Sequence, residues 1–338
     1  MVNITMAKLQ KEFRVLHDAI KLGTYDESEF LREKRDLLID ELNDKLKDEK
    51  IPGTDKGLTF KKFDQGSYAM NTGIKPKDDD FDIDVGVIFD IANEEYESHK
   101  LKKLVHNKLD KQHNRTVEYN RPCITVKYSD GYHVDLAIYA DNGNDLHIAW
   151  GKEHSKERLW YKAEPKKLTD WVADVSGDGE ESKQFRRLVR YLKKWKDRKF
   201  SSDGNAMPPS IGMTIQARDS FIYKKDDDLA ALIHIVAYMI SKFVDRSCEG
   251  SQEGKKCIVT ELPVAPSKDV YYKMSLKQAD AFYRKLEALL EALEAARDET
   301  SDHKASIILI KIFGDDFPEV EDVRKSDIAP VVHTGNNA

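Results

Sequence analysis

The nine residues from Phe81 to Phe89 allow this chain little conformational choice. Phe81, Ile83, Val85, Val87 and Phe89 are apolar and two apart, the period of a β-strand. Asp82, Asp84, Gly86 and Ile88 fall on the opposite face, so both carboxylates leave the same side of the strand. Like charges placed this way repel unless a cation sits between them. A solvated strand edge would explain an isolated Asp-x-Asp equally well. The surroundings shift the balance. Gln65-Gly66-Ser67 precedes the strand across a short irregular segment, and Asp135 follows on a second predicted strand, His133–Tyr139. There Val134, Leu136 and Ile138 face one way and His133, Asp135 and Ala137 the other. A calcium loop on Asp80, Asp82 and Asp84 is excluded, because Val85 occupies the position where such a loop turns on glycine.

Hard carboxylate oxygens together with phosphate oxygens make a magnesium environment. Such ions activate an attacking hydroxyl and stabilise a departing pyrophosphate. Asp82, Asp84 and Asp135 are therefore the expected catalytic and metal-binding residues. Gly66 and Ser67 offer N–H groups and a hydroxyl to the β- and γ-phosphates of a nucleoside triphosphate.

The rest of the chain frames this unit. Leu9, Phe13, Leu16 and Ile20 mark one amphipathic helix, and a second is predicted from about Glu27 to Glu49, burying Leu31, Leu37, Leu38, Leu42 and Leu46. Pro52-Gly53 ends it. Both helices read as a spine for the sheet. A helix is predicted over about Asn93–Lys111. A hairpin joins Cys123–Tyr128 to His133–Tyr139 through Ser129-Asp130-Gly131. Beyond Pro165 the pattern is helical: Lys167–Val175, Ser182–Lys199, Ser210–Asp219, Asp227–Val244, Leu276–Asp298 and Lys304–Phe313. In Ser182–Lys199, Phe185, Leu188, Val189, Leu192 and Trp195 form the apolar face. Arg186, Arg187, Arg190, Lys193, Lys194, Lys196, Arg198 and Lys199 cover the remainder, mostly as a solvated surface. Lys193 borders the apolar face and is expected in a cleft. Pro208-Pro209-Ser210 opens the next helix, with Ser210 as its cap and its free N–H groups suited to an anion.

Composition excludes several classes. With 338 residues, 40% hydrophobic and 34% charged, the chain can bury a core. No apolar run reaches the roughly 20 residues of a membrane span. The first residues lack a signal-peptide pattern, so a cytoplasmic protein is expected. Cys123, Cys248 and Cys257 cannot build a disulfide framework, and no further ligands at finger spacing make zinc of the last two. A net charge of −6 does not suit a binder of long nucleic acid.

Gln65-Gly66-Ser67, Phe81 to Gly86, His133-Val134-Asp135, Tyr191 to Asp197 and Pro209-Ser210-Ile211 together resemble the bacterial cGAS/DncV-like nucleotidyltransferases (CD-NTases). The similarity is greatest to the group around the cholera cyclic GMP–AMP synthase, and it runs from the N-terminal helices to about Phe317. These are second-messenger cyclases of anti-phage (CBASS) signalling. The acidic triad is shared with the wider polymerase-β-like superfamily; the Lys-x-Trp helix followed by Pro-Ser-Ile narrows it. The resemblance implies an α+β fold: a polymerase-β-like nucleotidyltransferase sheet with N-terminal spine helices (1–164), a helical C-terminal lobe (165–325), a loose tail (326–338), and an active site between the lobes. It implies two Mg2+ ions, or Mn2+, on Asp82, Asp84 and Asp135, with Asp135 helping to take the proton from the attacking ribose hydroxyl. Gln65, Gly66, Ser67, Lys193 and Ser210 would bind the donor nucleotide. Substrates would be NTPs, ATP or GTP foremost. The product would be a cyclic oligonucleotide, expected to be a dinucleotide, acting on a downstream effector. In some relatives a ubiquitin-like conjugation machinery acts on the C-terminal tail. No arginine in Arg121-Pro122-Cys123-Ile124-Thr125 is matched to the nucleobase-facing arginine of the cholera group, which leaves the base open. A template-independent RNA or tRNA nucleotidyltransferase and a non-catalytic nucleotide or RNA sensor are the alternatives.

Overall fold

A computed structural model describes residues 9–23, 26–77, 81–110, 115–143, 145–175, 179–201, 206–246 and 255–322. Cys248 and the C-terminal tail lie outside the described residues. The helices are α1 (Gln10–Ile20), α2 (Asp26–Leu46), α3 (Gly66–Ala69), α4 (Ser98–Leu109), α5 (Pro165–Ala173), α6 (Glu180–Lys199), α7 (Ser210–Ser220), α8 (Asp228–Ser241), α9 (Leu276–Asp298) and α10 (Asp302–Phe313). The strands are β1 (Phe60–Asp64), β2 (Phe81–Phe89), β3 (Arg115–Tyr119), β4 (Ile124–Tyr128), β5 (Tyr132–Asp141), β6 (Leu146–Trp150), β7 (Leu159–Lys162), β8 (Val244–Arg246) and β9 (Lys255–Cys257). The first seven strands make one mixed sheet ordered β1-β2-β5-β4-β3, with β6 beside β5 and β7 beside β6. This is the α+β architecture expected.

Strand β2 forms as its alternation dictates. Ile83, Val85, Val87 and Phe89 are fully buried, and they meet Leu38 and Leu42 of α2 and Leu101 and Val105 of α4 in one core. The hairpin turns at Gly131, whose φ of 85° is the left-handed conformation that favours glycine. Buried Lys102 of α4 ties this half together. Its Nζ donates to the carbonyls of Asn120 (2.6 Å) and Arg121 (2.9 Å), 4.5 Å from the Tyr119 ring centroid.

A second core gathers α1 with α6 to α10 around Tyr191, Leu192, Trp195, Phe282 and Phe313. The two N-terminal helices therefore do not act jointly as a spine. Only α2 packs on the sheet; Phe13, Leu16 and Ile20 of α1 sit in the helical core. Other expectations fail at particular residues. Leu37 is 68% exposed. It lies one residue, about 100°, off the stripe carrying Leu31, Leu38 and Leu42. The helix expected from Asn93 starts only at Ser98, and the one expected to reach Val244 stops at Ser241, where Val244 begins a short strand. Helix α6 is not solvated on its basic side: Arg187, Arg190, Lys193 and Lys196 are all buried. A central helix is covered on several sides, so its long basic stems cross apolar surface to reach polar partners.

The α1–α6 contact carries a pH dependence. His17 Nε2 lies 3.2 Å from Arg190 Nη1, so the imidazole accepts there as a neutral ring. Burial, then the Arg190 charge, lowers its pKa from 6.5 to about 4. The unfolded chain consequently binds the extra proton first, and stability is lost as pH falls from about 6.5 towards 4. Denaturant titrations are expected to give about 2 kcal/mol less stability at pH 5 than at pH 7 from this group. His17→Gln should flatten that difference.

Candidate active site

The register of β2 against β5 decides the position of the acids. The strands are parallel, with Asp84 opposite Asp135 and Asp82 opposite His133. This register follows from pairing Ile83 and Val85 with Val134 and Leu136 on the buried face. Burial, then the charges of Asp82 and Asp135, pushes Asp84 up to about 7, with Lys193 acting in the opposite direction.

Asp82 and Asp84 face a cavity of about 490 Å³ between the sheet and the helices. Gln65, Gly66 and Ser67 line it from one side and Lys193 and Ser210 from the other. Seven of the eight residues expected from the sequence thus line one cavity. Asp135 is the exception. It stands one strand further in, where Thr125 Oγ1 donates to its carboxylate; Thr125 in turn accepts from Asn120 Nδ2 at 2.9 Å. Burial raises the Asp135 pKa, and the Thr125 bond opposes that.

Gly66 opens α3 at φ 65°. A Cβ there would lie 1.8 Å from Asp84 Oδ2, so only glycine lets the turn approach the acid. Gly66→Ala is expected to lower activity by about 100-fold or more through displacement of Asp84, a scale set by the sensitivity of reacting geometry to roughly 1 Å. Steady-state kinetics beside a thermal melt that stays near wild type would check it. The Gln65 N–H donates to the Asp84 carbonyl (3.1 Å), and Gln65 Oε1 accepts from Tyr139 Oη (3.0 Å).

Lys193 does enter the cleft. Its Nζ donates to the Thr72 carbonyl at 2.8 Å, and burial, then neighbouring Lys196, lowers its pKa to about 7. Ser210 is not a cap. Pro209 holds that position, and Ser210 Oγ, within the helix, accepts from Lys196 Nζ at 2.6 Å. Lys196, Thr72, Tyr139 and Thr125 were not singled out by sequence reasoning. Lys196 lies three residues beyond Lys193, the spacing that shares a helix face. Thr125 became legible only through its cross-strand pairing with Asp135.

Among the described residues, no three carboxylate, imidazole or thiol groups already form a metal cage. The donor set still fits a hard divalent cation: acids of like charge on adjacent strands, one with its ionised form disfavoured by burial and by the others.

Residues 60–139 match the family described as cyclic GMP-AMP synthase DncV-like, nucleotidyltransferase domain. That segment spans β1 to β5 and holds Gln65, Gly66, Ser67 and all three acids. A cyclic GMP-AMP synthase of Escherichia albertii is 30% identical over 160 residues, covering 45% of this chain and 35% of that protein. The cyclic dipyrimidine nucleotide synthase CdnE of Cecembia lonarensis is 27% identical over 171 residues, covering 44% of this chain and 56% of that protein. The matches therefore span about a third to a half of those relatives. The fold likeness is broader: the Vibrio cholerae DncV cyclic AMP-GMP synthase, solved with the linear intermediate 5′ pppA(3′,5′)pG, superposes with a TM-score of 0.69 at 20% identity, over 93% of this chain and 98% of that one. No helix among the described residues is long and apolar enough to cross a membrane.

Proposed function

We propose that the protein is a nucleotidyltransferase that joins two nucleoside triphosphates and closes the product into a cyclic dinucleotide, releasing pyrophosphate at each step. The observation that carries this reading is the pairing of Asp84 with Asp135 across β2 and β5, above a cavity that Gly66 and Ser67 enter from one lobe and Lys193 from the other. The activities for which the relatives are named, cyclic GMP-AMP and cyclic dipyrimidine nucleotide synthesis, are of this class.

Asp82, Asp84 and Asp135 would hold magnesium, which when bound supplies positive charge to the triphosphate and to the attacking oxygen. Ser67 hydroxyl and the first N–H groups of α3, free of helical partners, bind phosphate oxygens. Lys193 and Lys196 offset the charge on the departing pyrophosphate from the α6 side. Asp135, oriented by Thr125, accepts the proton of the attacking ribose hydroxyl. A second turnover on the reoriented linear product closes the ring. The chemistry suits a diffusible messenger acting on an effector, and a role in anti-phage signalling belongs to this proposal.

Purified protein incubated with labelled ATP, GTP, CTP and UTP and Mg2+ tests it. A phosphatase-resistant product whose mass is that of a cyclic dinucleotide is expected, with pyrophosphate released. A long linear polymer, or label passing into added tRNA, would instead identify an RNA nucleotidyltransferase. Nucleotide or RNA binding without pyrophosphate release would identify a sensor.

A further inference from the structure

Away from the acids, α1 and α6 enclose a second cavity of about 330 Å³ beside Asn71. Its walls carry Arg14, Lys21, Lys183, Arg186, Arg187 and Arg190, with Asp18 as the one lining carboxylate. The carboxylates paired with these cations are fewer. Glu180 serves both Arg14 (3.7 Å) and Lys183 (2.9 Å), Asp18 serves Lys21 (2.7 Å), and Asp228 serves Arg187 (2.6 Å). Six cations thus meet three acids. Arg190 is 7% exposed and is bonded to uncharged groups: Nε to the Gly73 carbonyl (3.0 Å), Nη2 to the Asn71 carbonyl (2.7 Å) and Nη1 to His17. Burial and then the Arg186 charge lower its pKa to about 10. Half-buried Arg186 pairs with no carboxylate among the described residues.

Burying charge of one sign without a counterion is costly, and here the excess lines an open cavity rather than a flat surface. Planar guanidinium groups favour phosphate oxygens, which they bind two at a time. We infer that this cavity is a second ligand site, distinct from the catalytic one, for a small multiply charged anion of the polyphosphate class. Its size accommodates a short phosphate chain and not an extended nucleic acid. Its location gives it a neighbour of consequence. Arg190 holds the Asn71–Gly73 segment from this cavity, while Lys193, one helical turn on, holds Thr72 from the catalytic cavity.

Calorimetric titration of the whole chain with sodium tripolyphosphate, in EDTA and at constant ionic strength, tests the site without reference to catalysis. Saturable binding is expected, weakened at least about tenfold by Arg14→Glu with Arg186→Glu, since both charge-assisted contacts are lost. The pair Arg14→Gln and Arg186→Gln keeps the test usable if the reversed charges impair folding. A control of equal charge change, Lys47→Glu with Lys61→Glu on exposed surface, should leave affinity within about twofold. Absence of saturable binding would overturn the inference. Equal loss in the control would reduce it to general electrostatics. Loss in Lys193→Met with none in the Arg14 and Arg186 variants would place the probe in the catalytic cavity. Affinity for single-stranded oligonucleotides that exceeds that for tripolyphosphate and rises with length would make the face a nucleic-acid surface, and the inference would fail.

Discussion

Asp82→Ala with Asp84→Ala should reduce pyrophosphate release by about 1,000-fold or more, the scale of losing the principal charge stabilisation of a transition state. The fold should survive, because neither carboxylate supports the core. Asp82 is exposed, and Asp84 pays an electrostatic penalty in place, with burial and two neighbouring acids pushing its pKa up to about 7. Removing mutual repulsion is expected to leave the melting temperature unchanged or raise it. A double variant that melts like wild type and keeps the rate of wild type would remove these acids from the chemistry. The milder Asp84→Asn separates charge from shape, since it keeps the volume beneath Gly66 while discarding the negative charge.

The opposite separation holds at Asp228, where a large loss of stability is expected without any role in chemistry. Asp228 is fully buried. Its carboxylate accepts from Arg187 Nε (2.6 Å) and Nη2 (2.8 Å) and from Gln184 Nε2 (2.9 Å), with Tyr191 Oη 3.1 Å away. Asp228→Ala would leave the Arg187 guanidinium buried and uncompensated, which costs about 3–5 kcal/mol. Chemical denaturation measures this directly. A loss below about 1 kcal/mol, the range of exposed pairs, would mean that water reaches Arg187 and the pair is not a buried one. The Arg187 bonds and the other hydrogen bonds hold the Asp228 pKa below its ordinary value against burial, so this contribution fades as acid protonates the carboxylate.

The alternation in β2 was legible because a strand buried on one face must repeat every second residue, and no other arrangement hides Phe81, Ile83, Val85, Val87 and Phe89 together. The hairpin was legible for the same reason, helped by Gly131 at its turn. Helix α9 was predicted with the bounds it has, and Ser275 and Gln278 form a capping box at its start. Short strands gave no such signal. β6 and β7 are each held by pairing with the strand just before them in the chain, and four or five residues carry too little periodicity to declare a strand.

The acids, the glycine turn and the basic helix could be named from residue types and spacing, because charge on an apolar strand and a glycine beside it are local facts. Which groups meet was a matter of packing. Sequence periodicity placed Lys193 at the border of an apolar face, yet only the docking of α6 against Thr72 put its amine in the cleft and lowered its pKa to about 7. Asp135 does stand opposite Asp84, but only the cross-strand pairing of β4 with β5 gave it Thr125 as a hydrogen-bond partner. The excess of cations between α1 and α6 was likewise invisible in a chain of net charge −6, since electrostatic balance depends on distances in space and the summed charge of a sequence contains none.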